Sequence, residues 1–577
     1  MKASDALVRK MEELGVNVVF GIPGGANLPL YDSLYDSNIR SVLVKHEQQA
    51  AHAAEGYARV KRRPGVALAT SGPGATNLIT GIVNASMDSA PLVAITGQVV
   101  RSFMGTDAFQ EADIVGMVLP HVKYATVVVD SARIVKEFVN AYMCAINGRP
   151  GPTLIDLPRD VQQEDIGDSR LEDVVAEPEF VRPTPNPDQG AIVAAAELIA
   201  RAKRICILAG GGVYYSDATR ELLNLAEMTN AAVVWTTPAK IAIDESHPNA
   251  LGVVGMHGRI ESNRAVIDAD LMICVGTRLS DRAIGPAADF KKNRKIIHID
   301  VDPSEIGKNV IPDVGIVSDA KAALRALLSH LSTTTMLPKD PLWVANLKEL
   351  GRAFDEYMFS QTDDTRLSSY KVIKVIRDEL PKNAIVTTGV GQHQMWAQLY
   401  FKVLEPGTFL TSAGLGTMGF GLPAAMGARA AAPDRTVLNM DGDGSFLMTC
   451  QCLGTIVEYD YPVITVIFDN RALGMVRQWQ DLFYKKRFKD VDIEDRTNLV
   501  KLAESLGVEG VFVESYDELR SVLRRAIRND EAIVIDVPID KDEKVFPMVP
   551  PGRWLAETIL PPGFSIHGEE KITASTR

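Results

Sequence analysis

Short runs of continuously apolar, β-branched residues recur along the chain, separated by longer stretches with helical spacing. Val16-Asn-Val-Val-Phe20, Val66-Ala-Leu-Ala-Thr70, Leu92-Val-Ala-Ile-Thr96 and Thr153-Leu-Ile-Asp156 form a first series. Ile205–Ala209, Ala232–Thr236, Leu271–Val275 and Lys295–Asp300 form a second, and Ala384–Thr388, Thr436–Met440, Val463–Phe468 and Ala532–Asp536 a third. Strands apolar on both faces, each followed by a helix-length segment, predict parallel sheets covered on both sides. The fold class is therefore α/β, with three doubly wound domains.

Breaks in the pattern set the expected boundaries: a first domain over 1–165, a linker over 166–189, a middle domain over 190–331, a second linker over 332–369, a third domain over 370–545 and an irregular tail over 546–577. The first linker is acidic and carries Pro178, Pro183, Pro185 and Pro187, which suits an extended connector. The tail, with Pro550, Pro551, Pro561 and Pro562, is expected to close over another surface.

A chain of 577 residues exceeds a single core, in keeping with three domains. Its net charge of −12 argues against general affinity for nucleic acid or anionic membranes. No apolar run reaches the roughly 20 residues that cross a bilayer. The N-terminus enters an amphipathic pattern at once, without a signal or transit segment, so a cytoplasmic location is expected. The five cysteines lack zinc or redox spacing and read as buried thiols.

The chemistry is most concentrated in Met440-Asp-Gly-Asp-Gly-Ser-Phe446, after an expected strand and before an expected helix. Glycines let backbone approach a ligand, a carboxylate holds Mg²⁺, and helix amides face phosphate. Alone, a tight turn with an exposed acid explains the segment almost as well. The next strand, however, ends in Asp469-Asn470, and neighbouring parallel strands present their C-terminal ends together. Asp443 and Asn470 then offer two hard oxygen ligands to one ion, a half-site that Mg²⁺ completes with phosphates and water.

Gly442-Asp-Gly-Ser445, with Asn470 further along, resembles the signature of thiamine-diphosphate enzymes. The resemblance implies Asp443, Asn470 and the backbone carbonyl of Ala472 as metal ligands, and Gln392, His393, Gly416, Met418, Gly444, Ser445 and Met475 as contacts of thiamine diphosphate. Met418 matches the bulky residue that bends the cofactor; in an apolar turn it is otherwise core filler. The run Val44-Lys-His-Glu-Gln-Gln-Ala-Ala-His-Ala-Ala-Glu-Gly-Tyr-Ala-Arg59 resembles the pyrimidine-domain segment of acetolactate (acetohydroxyacid) synthases. There Glu47 is the proton-relay acid, whereas an acid in a first helical turn is ordinarily a response to the helix dipole. His46 and His52 read as helix-face histidines rather than metal ligands.

Further segments match the same family in order along nearly the whole chain. Phe20-Gly-Ile-Pro-Gly-Gly-Ala26 places Gly25 near the reacting ring, while Gly105-Thr-Asp-Ala-Phe-Gln-Glu-Ala-Asp113 supplies Phe109 and the catalytic Gln110. Gln98, Arg159, Met256, Arg282 and Trp479 complete the implied substrate pocket, with Arg282 gripping the acceptor carboxylate and Trp479 shaping specificity. Gly255–Gly258, Gly276–Arg282 and His298–Glu305 resemble segments that wrap a structural FAD. The implied flavin contacts are Arg149, Gly211, Arg278, Asp300 and Asp319. Two departures stand out: Arg278-Leu-Ser-Asp-Arg282 replaces the usual Arg-Phe-Asp-Asp-Arg, and Arg159 stands where many members have Lys.

The resemblance thus implies pyrimidine-binding, central FAD-binding-like and diphosphate-binding domains. The implied activity decarboxylates pyruvate and transfers the two-carbon fragment to pyruvate or 2-ketobutyrate, within branched-chain amino-acid biosynthesis. It implies a site completed between subunits, so a homodimer as the minimum with a tetramer left open, and a separate small regulatory subunit is common in the family. Rival readings are a pyruvate oxidase or decarboxylase on the same scaffold, disfavoured by Arg282 and Trp479. A glyoxylate carboligase lacks the acid at position 47, and a non-catalytic nucleotide-binding scaffold has no use for Glu47 beside Asp443 and Asn470.

Overall fold

Each apolar series builds one six-stranded parallel sheet. The computed structural model describes residues 1–167, 185–332, 340–362, 366–493 and 497–566. The first sheet contains β1 (Val18–Gly21), β2 (Arg40–Leu43), β3 (Gly65–Ala69), β4 (Leu92–Gln98), β5 (Tyr124–Val127) and β6 (Pro152–Pro158), in the order β2-β1-β3-β4-β6-β5. The second contains β7 (Ile205–Ala209), β8 (Ala232–Trp235), β9 (Ala250–Val253), β10 (Leu271–Val275), β11 (Lys295–Asp300) and β12 (Val314–Val317). Read from one edge its order is β9-β8-β7-β10-β11-β12, that of a dinucleotide-binding sheet with the reversal between β7 and β10. The third contains β13 (Ile385–Thr388), β14 (Phe409–Thr411), β15 (Val437–Gly442), β16 (Ile464–Asp469), β17 (Glu509–Phe512) and β18 (Ile533–Pro538). Its order, β14-β13-β15-β16-β18-β17, repeats that of the first sheet.

The first and third units meet through two helices made of small residues. In Glu47–Lys61 the residues Ala50, Ala51, Ala53, Ala54, Gly56 and Ala58 are all buried, and helix Gly421–Ala431 is equally poor in large side chains. The backbones consequently touch: a Cβ at Gly56 would lie 2.2 Å from the Ala424 carbonyl oxygen, and one at Gly427 would lie 1.8 Å from that of Ala53. A buried ion cluster fixes the same junction. Arg59 pairs with Glu55 and, at 2.8 Å, with Asp88, and donates to the Thr411 carbonyl at 2.9 Å. Removing one member of such a cluster costs about 3–5 kcal/mol, because the remaining charge is stranded away from water.

Of the first expected linker, 168–184 lies outside the described residues, as do 333–339 and 363–365 of the second and 567–577 of the tail. Within the second, Trp343–Ser360 forms an 18-residue helix, so this stretch carries packed structure where a plain connector was expected. Its apolar face, Trp343, Val344, Leu347, Phe354 and Met358, explains this, since a helix with such a stripe must be covered. The described part of the tail packs on the middle unit and on helix Trp343–Ser360: Val549 donates its N–H to the Met256 carbonyl, and Phe564 meets Phe354 edge-on. Four cysteines are buried and Cys450 is half-buried; all five are free. Among the described residues no helix is long and apolar enough to cross a membrane.

Candidate active site

The C-terminal ends of β13, β15 and β16 open into a cavity of about 90 Å³. Gln392 and His393 follow β13, Asp443, Gly444 and Ser445 follow β15, and Asn470, Ala472 and Met475 follow β16; all of them line it, together with Met418. Of the expected cofactor and metal residues in this unit, Gly416 alone stands outside the lining. It takes a left-handed φ of 72°, which a side chain rarely adopts, in the loop that delivers Met418.

Electrostatics mark the carboxylate in this cavity. Asp443 is buried, one of its oxygens has no hydrogen-bond partner among the described residues, and burial together with the neighbouring Asp469 pushes its carboxyl up to about 7. A buried acid beside a second acid is an environment that a cation relieves. The Asn470 oxygen accepts from the Ala472 N–H at 3.0 Å and its amide donates to Gln392 at 3.2 Å. His393 is held neutral by burial, its ring down to about 3, and stacks on Phe468. Among the described residues no group of three His, Cys, Asp or Glu side chains gathers as a metal site. The expected set has one carboxylate, with amide and carbonyl oxygens beside it, as suits a hard cation completed by phosphate.

Three substrate candidates meet one another outside the lining of this cavity, Trp479 standing on the helix whose first residues, Gly474, Met475 and Val476, do line it. The Arg282 guanidinium lies over the Trp479 indole at 5.8 Å, and its Nη1 contacts the Met256 sulfur at 3.1 Å. Arg282 and Met256 come from the middle unit and Trp479 from helix Gly474–Phe483 of the third. His257, beside them, is pushed down to about 4, first by burial and then by Arg282.

A second cavity, of about 390 Å³, lies at the reversal between β7 and β10, and all five flavin candidates line it. Its floor is close-packed backbone: a Cβ at Gly210 would fall 2.0 Å from the Gly276 carbonyl oxygen. Arg149 is paired with Glu305 at 2.8 Å, and Asp319 caps helix Ala320–Leu331 and accepts from Ser216. Asp300, at the end of β11, is pushed up to about 6 by burial. The Arg278 guanidinium has no carboxylate within ion-pair distance among the described residues, and burial pulls its pKa down, so it is a cation in want of an anion. A third cavity, of about 270 Å³, shares Arg278 and Ser280 with the second and reaches Arg282 and Gly414.

The first-unit candidates lie apart. None of Gly25, Glu47, Gln98, Phe109, Gln110 or Arg159 lines the cavity of the third unit in the same chain. Glu47 is buried at the start of its helix and accepts from Asn77 at 2.9 Å. His46 caps that helix by accepting from the Gln48 N–H, and His52 packs edge-on against Phe420, so both histidines have structural work. Gly25 faces open space, with nothing within 4 Å of a would-be Cβ. Gln98 donates to Asp156 at 2.9 Å and to the Ala112 carbonyl at 3.0 Å. Phe109 is 88 % exposed, Arg159 is exposed, and Gln110 adopts a left-handed φ of 61° against Gly72.

Comparison with known proteins decides the family. The thiamine pyrophosphate enzyme models match as the N-terminal TPP-binding domain over residues 1–117, the central domain over 192–327 and the C-terminal TPP-binding domain over 389–537. A probable acetolactate synthase large subunit of Methanocaldococcus jannaschii is 46 % identical over 97 % of this chain and 95 % of that protein. The acetolactate synthase large subunit of Corynebacterium glutamicum is 43 % identical over 96 % of this chain and 89 % of its own, and that of Pyropia yezoensis 40 % identical over 96 % and 94 %. The chain belongs to the acetolactate synthase large-subunit family of thiamine pyrophosphate enzymes.

Several residues of this family member escaped the sequence reading. Asn77, which holds Glu47, ends the glycine-rich segment Thr70-Ser-Gly-Pro-Gly-Ala-Thr-Asn77, which carries no local signal for that role. Asp156, the partner of Gln98, reads as the end of an apolar strand. Asp88 accepts from the backbone N–H of Ala413 and of Gly414, and Asn84 accepts from Ser412 and Thr417, tying the Met418 loop to the first unit. Both lie in an unremarkable helix, Ile79–Asp88, so nothing local singles them out.

Proposed function

We propose that this protein is an acetolactate synthase that takes pyruvate as donor and pyruvate or 2-ketobutyrate as acceptor. The observation that carries this reading is the meeting of Met256, Arg282 and Trp479, with Trp479 on the helix whose first turn lines the cavity holding Asp443 and Asn470. A decarboxylase or oxidase needs no second carboxylate-binding arginine there. Thiamine diphosphate, when bound, supplies the carbon nucleophile and the electron sink. Asp443, Asn470 and the Ala472 carbonyl would hold Mg²⁺, with Gln392, His393, Gly444, Ser445 and Met475 around the diphosphate and Met418 and Gly416 shaping the bend. The partnerless Asp443 oxygen supports the metal assignment. Glu47 would hold or release a proton at the cofactor's pyrimidine, and Arg282 would orient the acceptor by its carboxylate.

Glu47, Gly25, Gln98, Phe109, Gln110 and Arg159 stand away from the cavity of their own chain, and Phe103 and Phe109 are exposed apolar groups beside them. Both facts support a homodimer whose sites are completed across the interface. FAD is proposed for the cavity at the β7/β10 reversal, where the strand order and the uncompensated Arg278 suit a dinucleotide diphosphate. The proposed domain limits remain 1–165, 190–331 and 370–545, with a cytoplasmic location. Product analysis with thiamine diphosphate, Mg²⁺ and pyruvate, with and without 2-ketobutyrate, tests the activity. Acetolactate giving way to acetohydroxybutyrate is expected; acetaldehyde or acetyl phosphate as the main product would overturn it.

A further inference from the structure

We propose that Gln478 is a positioning residue that fixes the acceptor side of the site against the cofactor side, working through the C-terminal strap 543–549. The proposal rests on the acetolactate synthase reading. Gln478 precedes Trp479 on helix Gly474–Phe483, yet it is buried and lies outside the lining of the cofactor cavity. Its amide is fully engaged. The oxygen accepts from Gln392 Nε2 at 2.9 Å and from the Val545 N–H at 2.8 Å, while the nitrogen donates to the Val545 carbonyl at 3.1 Å and contacts the Met548 sulfur at 3.5 Å. The side chain therefore pairs with the strap as a neighbouring strand would.

From this amide the hydrogen bonds run both ways. Gln392 accepts from Asn470 at 3.2 Å, which reaches the proposed metal ligands. Along the strap, Val549 donates to the Met256 carbonyl at 2.8 Å, and Met256 in turn receives Arg282 at its sulfur. Arg477 adds a second tie, pairing with Asp542 at 3.1 Å just ahead of the strap. One continuous path, along hydrogen bonds and the strap backbone, thus joins Asn470 to Arg282 through a residue that lines neither the cofactor cavity nor the one Arg282 lines. Buried amides lose free energy when left unpaired, so the path favours one relative placement of its two ends.

The two half-reactions ask different things of that placement. One pyruvate and one proton give carbon dioxide and acetaldehyde, and this needs the cofactor side alone. Two pyruvates and one proton give carbon dioxide and acetolactate, which needs the acceptor held at the right distance. A misplaced acceptor therefore diverts product from acetolactate to acetaldehyde while carbon dioxide is still released.

The test measures all three products from holoenzyme with thiamine diphosphate, Mg²⁺ and pyruvate, for the wild type, Gln478→Ala and Gln478→Glu. Acetolactate formed per carbon dioxide should fall about tenfold in Gln478→Ala, with acetaldehyde making up the balance. A smaller fall is expected in Gln478→Glu, which keeps the oxygen that meets Val545 and Gln392 but has no N–H for the Val545 carbonyl. A merely structural role lowers all products together, so an unchanged ratio in the variants overturns the proposal. If Gln478→Ala does not fold, Gln478→Glu decides by the same ratio. A wild type that forms no acetolactate overturns the functional reading instead.

Discussion

The Arg282 guanidinium stands 5.8 Å from the centre of the Trp479 ring, joining the short helix Asp281–Ile284 of the middle unit to a helix of the third. A cation over an indole face is held by the ring's quadrupole, modestly here because Arg282 is exposed to water. The indole therefore does two things: it limits the space beside the arginine and it steadies the group expected to grip the acceptor. Trp479→Leu should lower the preference for 2-ketobutyrate over pyruvate by roughly tenfold or more, since small apolar differences in a pocket are worth 10–200-fold. Competition between the two acceptors, read as the product ratio, measures this. An unchanged ratio would remove Trp479 from the acceptor pocket.

Glu47 offers a cleaner separation of chemistry from folding. Its oxygen accepts from Asn77, and a glutamine carbonyl accepts that bond equally well. Glu47→Gln should therefore keep the melting temperature while kcat falls by about 10²–10⁴-fold, the usual contribution of a positioned acid or base. Steady-state kinetics beside a thermal melt distinguishes this from a purely structural acid, for which both would stay near the wild type.

Much of this was legible because the informative residues sit in short continuous segments at strand ends. In each sheet, the four strands expected from sequence are the four inner ones, and the two that escaped are the two edges: β2 and β5, β9 and β12, β14 and β17. Inner strands are covered on both faces and read as unbroken apolar runs. The edges β2, β5, β12 and β17 are partly exposed, with polar residues in β2, β5 and β17 and a glycine in β12, while β9 and β14 are buried but only four and three residues long. The site divides in the same way. Asp443 and Asn470 stand at the ends of inner strands, whereas Asn84, Asp88 and Gln478 act through partners hundreds or dozens of residues away, which no local pattern encodes.

The small residues at the helix crossing are a packing requirement with a measurable consequence. A Cβ at Gly427 would lie 1.8 Å from the Ala53 carbonyl oxygen, and neither backbone has room to retreat. Gly427→Val should destabilise the junction by about 3 kcal/mol, at the upper end of overpacking costs. An earlier thermal transition, with loss of holoenzyme assembly, is the expected result. A melt unchanged from the wild type would mean that the two helices do not cross at this distance.

Asp156 predicts how the substrate side responds to pH. Burial pushes its carboxyl from 3.8 up to about 7, opposed only in part by the hydrogen bonds from Thr96 and Gln98. The folded protein therefore holds a proton that the unfolded chain gives up between about pH 4 and about pH 7. Stability from this group is complete below the unfolded value and is lost as pH rises through about 7. Asp156→Asn cannot titrate, so its urea midpoint should fall less than that of the wild type across that window. The same variant turns an amide N–H or a shared carbonyl toward Gln98, so KM for the keto acid should also rise. Equal pH slopes in the two proteins would place the sensitivity in another buried acid, and Asp536, likewise pushed up to about 7 by burial, would be the next to replace.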